Sequence, residues 1–126
     1  MRAKARLHKP GQMNKGEAAY AAHLEQRKRA GEIHDYRFEP MKLRLADNTF
    51  YSPDFEVMLP EPDARIEMHE VKPTRKVTRA DGSRVEQPFC FEDAKLKVKV
   101  AAKEFYEFIF AIVYPLKAGG WGRQEF

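Results

Sequence analysis

The run Phe108-Ile109-Phe110-Ala111-Ile112-Val113-Tyr114 is apolar at every position, and it restricts the fold more than any other stretch of this chain. A strand with one wet face alternates apolar with polar residues, whereas a strand covered on both faces has no need to. The run is far too short to cross a bilayer, so it predicts an interior strand of an α/β protein with helices packed on its sheet. The 126 residues suffice for one such core and not for two. With 43% hydrophobic and 33% charged residues the composition is that of a globular rather than a disordered chain. A single cysteine, Cys90, excludes an intramolecular disulfide framework and a cysteine-rich zinc site, and is simplest to reconcile with a reducing cytosol. The charged N-terminus lacks a hydrophobic signal core behind it, so neither secretion nor membrane insertion is expected, and a cytoplasmic location follows.

The other elements are read around that strand. Residues 1–13 form a basic arm, expected to be flexible and closed by Pro10-Gly11; Arg2, Lys4, Arg6, Lys9 and Lys15 all precede the first acid, Glu17. Residues 14–126 are expected to be a single domain. Asn14 with Glu17 has the spacing of a capping box, and Gly31 stands where a helix-terminating glycine belongs. Between them Tyr20, Ala21, Leu24 and Lys28 make one stripe, which predicts an amphipathic helix. Ile33 to Leu45 reads as a first strand, Phe50 to Leu59 as a second interrupted at Pro53, and Arg65 to Lys72 as a third. Proline inside the second implies an edge or a bulge. Residues 73–91 are polar around Asp81-Gly82 and read as an inserted hairpin or loop. Lys95 to Val100 alternates like a strand, yet Ala94, Val98, Ala101, Ala102 and Phe105 keep helical spacing; a helix is expected, because the strand that follows needs a crossover. Residues 118–126 are expected to be a tail that caps the sheet.

Three residues carry the chemistry. In a strand Glu70 and Lys72 point to one face and Val71 to the other. If the strand bearing Asp54 lies alongside, two carboxylates and one ammonium converge. Such a group suits a hard divalent cation, which takes carboxylate oxygens and waters and commonly completes its shell with phosphate. Beside the metal, a lysine is placed to hold the scissile phosphate or the attacking water. The pattern points to a metal-dependent nuclease. The duller readings are a turn aspartate after Pro53 and a surface ion pair between Glu70 and Lys72. Ile66 and Met68 share the face of that pair, which argues against simple solvation, since buried unpaired charge costs several kcal/mol, of order 3–5. Glu17 is accounted for by its capping box, and equally lies on the stripe that faces the sheet. His69 points away from Glu70 and reads as packing, and Cys90 as a small buried hydrophobe.

The element order and these motifs together resemble the restriction-endonuclease-like superfamily, written PD-(D/E)-x-K. Pro53-Asp54 and Glu70-Val71-Lys72 match that signature residue for residue. Lys15-Gly16-Glu17, Gly31-Glu32-Ile33, Tyr51-Ser52-Pro53-Asp54-Phe55, Lys97-Val98-Lys99-Val100-Ala101-Ala102 and Gly119-Gly120-Trp121 extend the likeness to small phage-encoded endonucleases related to Holliday junction resolvases, over roughly residues 12–126. The segment 73–91 is longer than that family leads one to expect. The resemblance implies an α/β core ordered helix, strand, strand, strand, helix, strand, with a mixed sheet flanked by helices. It implies Mg²⁺, with Mn²⁺ as a substitute, on Asp54, Glu70 and the backbone carbonyl of Val71. It also implies catalytic roles for Asp54, Glu70 and Lys72, and makes Glu17 the helix-borne acid that assists a second metal or orients a water.

The charge excess of +4 fits an anionic partner, here expected to be DNA, and the resemblance to the resolvases points to branched DNA. The expected phosphate contacts are Arg6, Lys9 and Lys15, Arg75 and Lys76 in the basic run from Lys72 to Arg84, and the helical ridge Lys95, Lys99 and Lys103. The aromatic residues are spaced as core rather than as a base-stacking platform. A branched substrate needs phosphates gripped on more than one arm, which leads to the expectation of a homodimer on DNA. A nucleic-acid-binding protein that keeps the fold without cutting is the competing reading, as is a structural phage protein.

Overall fold

A computed structural model describes residues 11–126; the basic arm through residue 10, with Arg6 and Lys9, lies outside the described residues. The first helix, α1 (Lys15–Arg29), begins on the expected capping box: Asn14 Oδ1 accepts from the Glu17 amide and Glu17 Oε1 accepts from the Asn14 amide. It ends at Gly31, whose φ of +78° lies in the left-handed region that glycine adopts without strain. Arg27, Lys28 and Arg29 in the last turn complement the helix dipole.

The expected first strand breaks in two, a correction to the sequence reading. Its start is β1 (Asp35–Phe38) and its end is β2 (Leu43–Ala46), which turns back at Asp47-Asn48 into β3 (Thr49–Tyr51). The expected second strand likewise divides at Pro53, leaving β4 (Phe55–Met58) beyond the break. β2 and β3 form their own two-stranded sheet while β1 and β4 stay in the main one. β5 (Ile66–Val71) follows, then β6 (Thr74–Thr78) and β7 (Arg84–Pro88), a hairpin around Asp81-Gly82 in the inserted segment. The ambiguous stretch is helical: α2 (Glu92–Glu104) buries Val98 and Ala101, two of the positions that set its spacing. β8 (Phe108–Pro115) is the continuously apolar strand. The tail contains β9 (Trp121–Glu125), so it extends the sheet rather than only capping it.

The main sheet is mixed, in the order β1-β4-β5-β8-β9, with β5 and β8 parallel and the other neighbours antiparallel. α1 covers one face: Tyr20 and Leu24 are buried with Ile33, Phe55, Val57 and Val113. α2 and the β2–β3 hairpin cover the other, where Val98, Ala101, Leu43 and Tyr51 pack with Met68, Phe110 and Ile112. β8 thus contributes alternate residues to both cores, which explains why no position of it is polar. No helix among the described residues is long and apolar enough to cross a membrane.

Candidate metal centre

β4 and β5 pair with Phe55 opposite His69, so continuing the register sets Asp54 opposite Glu70 and on its face of the sheet. Lys72 lies one residue past the end of β5, and its Nζ stands 3.2 Å from Glu70 Oε2. Both side chains are mostly covered, with 12% of Glu70 and 26% of Lys72 exposed. Tyr51, at the end of β3, donates its hydroxyl to Glu70 Oε1 at 2.8 Å. The Val71 amide donates to Asp54 Oδ2 at 2.8 Å. Glu17 closes the group from α1, within hydrogen-bonding reach of Asp54. The four side chains singled out from the sequence therefore meet at one end of the sheet, beside a cleft of about 410 Å³ that Lys15, Gly16, Val71 and Lys72 help to line.

The electrostatics are unbalanced. Three carboxylates share one ammonium. Burial, and then the neighbouring Glu70 charge, push the Asp54 carboxyl up to about 9, against the pull of the Val71 amide. Burial also raises Glu70, although Lys72 and the Tyr51 hydroxyl work the other way. For Lys72 burial opposes the charge, but Glu70 wins and raises its pKa, so it stays an ammonium at neutral pH. Asp54 and Glu17 can hydrogen-bond only by sharing a proton, because two ionised carboxylates have no donor between them. A cation here would satisfy the oxygens that burial and the Glu70 charge leave unfavourably ionised.

The backbone adds a further oxygen. In extended chain the N–H and C=O of one residue point to the same edge. Since the Val71 amide reaches Asp54, the Val71 carbonyl faces β4 as well, opposite Pro53, which has no N–H to give it. Two carboxylates and one carbonyl are hard oxygen donors suited to Mg²⁺, which keeps several waters of its own. Among the described residues no three His, Cys, Asp or Glu side chains form a ready-made cage, so a cation here would have to draw on that carbonyl and on water.

On the opposite face lies a buried polar chain. The Tyr20 hydroxyl is 2.6 Å from His69 Nδ1, His69 Nε2 is 2.8 Å from Glu67 Oε1, and Arg123 forks onto both Glu67 oxygens at 2.9 and 3.0 Å. Burial favours neutral His69, and these partners satisfy both of its nitrogens. Burial opposes ionisation of Glu67, but its bonds from His69 and Arg123 prevail and lower its pKa to about 2. His69 is therefore structural, as its alternation indicated. Tyr20 is one turn beyond Glu17, so the chain fastens the helix that delivers Glu17 to Asp54.

The expected phosphate contacts lie on several elements. Lys15 is at the cleft, and Arg75 and Lys76 are exposed on β6. Lys95 is half-buried on α2, while Lys99 and Lys103 are exposed. Lys117, passed over in the sequence, lies close enough to Lys76 that its hydrogen bond and like charge lower the Lys76 pKa. Tyr51 was passed over too; its place within Tyr51-Ser52-Pro53-Asp54 was the available signal. The aromatic residues need a correction: Phe50, Phe89, Phe91 and Tyr106 are exposed rather than core. Comparison with protein-family models, with curated proteins and with solved structures finds no match to this chain.

Proposed function

We propose that this chain is a divalent-metal-dependent endonuclease acting on DNA, built on a restriction-endonuclease-like core. The observation that carries the reading is the pairing of Asp54 with Glu70 across two strands, with Lys72 3.2 Å from Glu70 and too little positive charge to balance the acids. A protein that only binds DNA gains nothing from carboxylates facing phosphate, so the non-cutting alternative leaves the group without a purpose.

Asp54, Glu70 and the Val71 carbonyl are the residues that would hold Mg²⁺ or Mn²⁺. Such an ion, when bound, lowers the pKa of a coordinated water and polarises a phosphate oxygen. Lys72 is fixed by its ion pair and meets the negative charge that grows on phosphorus as water adds and the 3′ oxygen leaves. Because it is already in place, it needs no reorganisation during the reaction. Tyr51 holds one Glu70 oxygen and so orients the other. Glu17 is placed to orient the water or to support a second ion. Lys15, Arg75, Lys76 and the Lys95, Lys99, Lys103 ridge supply sequence-independent grip on the backbone. A branched substrate would be gripped by two copies of the chain.

The test compares wild type with Lys72→Ala on linear and branched DNA with Mg²⁺ or Mn²⁺. Cleavage by wild type, its loss in the variant, and unchanged DNA affinity are expected. If binding falls in step with cleavage, Lys72 is one phosphate contact among many and the catalytic assignment fails.

A further inference from the structure

The hairpin of β6 and β7 has one cationic side. Strand alternation turns Arg75 and Arg79 to the same side, together with Gln87, which pairs with Arg75 across the ladder. That side borders a groove of about 350 Å³, which Tyr114 and Gln124 of the main sheet and Lys95 of α2 also line. Among the described residues none of Arg75, Arg79 and Lys95 is ion-paired with an acid. Two acids also border the groove. Glu86 alternates to the other side of the hairpin, opposite Lys76, and its carboxylate accepts from the Lys117 amide at 2.8 Å, so Glu92 alone is left against three cations. Gly122 shapes the sheet beneath. A Cβ there would stand 2.4 Å from two carbons of the Tyr114 ring, so only glycine lets that ring rest across β9 where it borders the groove.

We propose that this groove binds a nucleoside phosphate, with Arg75, Arg79 and Lys95 on the phosphate and Tyr114, Gln87 and Gln124 on the base. Guanidinium forks match phosphate oxygens two at a time, which supplies both affinity and orientation. A bare anion needs no more than that, yet the groove also presents a half-buried aromatic ring and two carboxamides. The ring gives a base a face to stack on, and a carboxamide both donates and accepts, as the edge of a base does. At about 350 Å³ the groove stands at the low end of the roughly 300–1,000 Å³ of small-molecule sites, room for one nucleotide and not for a length of duplex. The same unit is supplied by a free nucleotide or by one residue of a strand, and the test separates the two. No acid of the metal centre takes part, so the inference does not depend on the nuclease reading.

Calorimetric titration of the whole chain in EDTA measures binding without cutting. The ligands are deoxyadenosine monophosphate, deoxyadenosine, inorganic phosphate, and a short single strand with and without a 5′ phosphate. Wild type should bind the monophosphate about tenfold or more tightly than either the nucleoside or inorganic phosphate, since both halves of the site are then engaged. Arg79→Ala removes one charge-assisted contact and should weaken the monophosphate about tenfold or more while leaving the nucleoside as it was. Arg75→Ala gives an independent second reading, and both arginines are exposed, so their loss spares the core. Tyr114→Leu should lower the monophosphate to the level of inorganic phosphate and leave inorganic phosphate unchanged. Lys97→Ala removes an exposed α2 cation outside the groove and should change nothing, which separates a built site from general attraction to positive charge. Monophosphate bound more tightly than the strands assigns the groove to a free nucleotide, the reverse to a strand residue, and either upholds the site. Monophosphate bound no more tightly than inorganic phosphate, equal affinity in wild type and both arginine variants, or no measurable binding would overturn the inference. Each of these failures leaves the nuclease reading standing, because cleavage is tested separately through Lys72.

Discussion

Replacing Asp54 by Asn should stabilise the protein when metal is withheld and remove its response when metal is added. Burial and the Glu70 charge move the Asp54 carboxyl from 3.8 to about 9. Folding at neutral pH therefore has to protonate a group that is ionised in the unfolded chain. From 3.8 to pH 7 is about three units, so at about 1.4 kcal/mol per unit the fold loses about 4 kcal/mol. Asparagine escapes that loss. Its oxygen can accept from the Val71 amide, and its NH₂ can donate to Glu17 without a shared proton. For an acid whose pKa is raised by folding, the stabilising contribution is complete below 3.8 and disappears as pH climbs to about 9. Wild type should lose stability through that window relative to Asp54→Asn, and the two curves should meet near its acid end. Denaturant unfolding in EDTA at several pH values measures the difference. At neutral pH the variant is expected to be more stable by up to about 4 kcal/mol, whereas Mg²⁺ at about a hundred times its Kd adds about 2.7 kcal/mol to wild type alone. A variant less stable than wild type at neutral pH, or a gap that does not change with pH, would refute the reasoning. Asp54 would then be an ionised, satisfied carboxylate and no cation would be needed.

Tyr51→Phe keeps the core ring and removes the hydroxyl from Glu70, so Mn²⁺ affinity by calorimetry should fall about 10- to 100-fold with the fold intact; an unchanged affinity would leave Tyr51 as packing only. Arg123→Met strands the buried Glu67 carboxylate and should cost about 3–5 kcal/mol in denaturant unfolding, a loss under about 1 kcal/mol meaning that Glu67 finds water instead. Neutralising Lys95, Lys99 or Lys103 singly should lower the slope of log affinity against log salt by about 0.9 each, whatever the DNA sequence. An unaltered slope marks that lysine as a solvated surface charge.

Legibility followed the range of the forces that fix each element. α1 was readable because its start is a local device, Asn14 with Glu17, and β8 because burial on both faces leaves its mark on every residue. The β2–β3 hairpin was obscured because Met41, Leu43 and Leu45 alternate as they would in the main sheet, while only α2 packing above them reveals that they form a separate layer. β9 has no apolar alternation in Trp121-Gly122-Arg123-Gln124-Glu125; it is a strand because the edge of β8 presents unpaired backbone groups to it. Likewise, nothing local tells that Tyr51 reaches Glu70, or that Phe89 and Phe91 point outward around an inward Cys90.

The candidate centre depends on register in a way that joins folding to chemistry. A one-residue slip between β4 and β5 would place Phe55 opposite Glu70 and turn Asp54 to the α1 face. What prevents it is apolar. Phe55 and Val57 are fully buried against Tyr20 and Leu24, and a slip would carry both to the wrong side of the sheet. Pro53 then ends the ladder where it must: lacking an N–H, it leaves the Val71 carbonyl without a donor opposite, while the Val71 amide is taken by Asp54. Hydrophobic burial on one face of the sheet thus sets the positions of the acids on the other. Truncating Phe55 should accordingly weaken metal binding together with stability, although Phe55 touches neither acid's face.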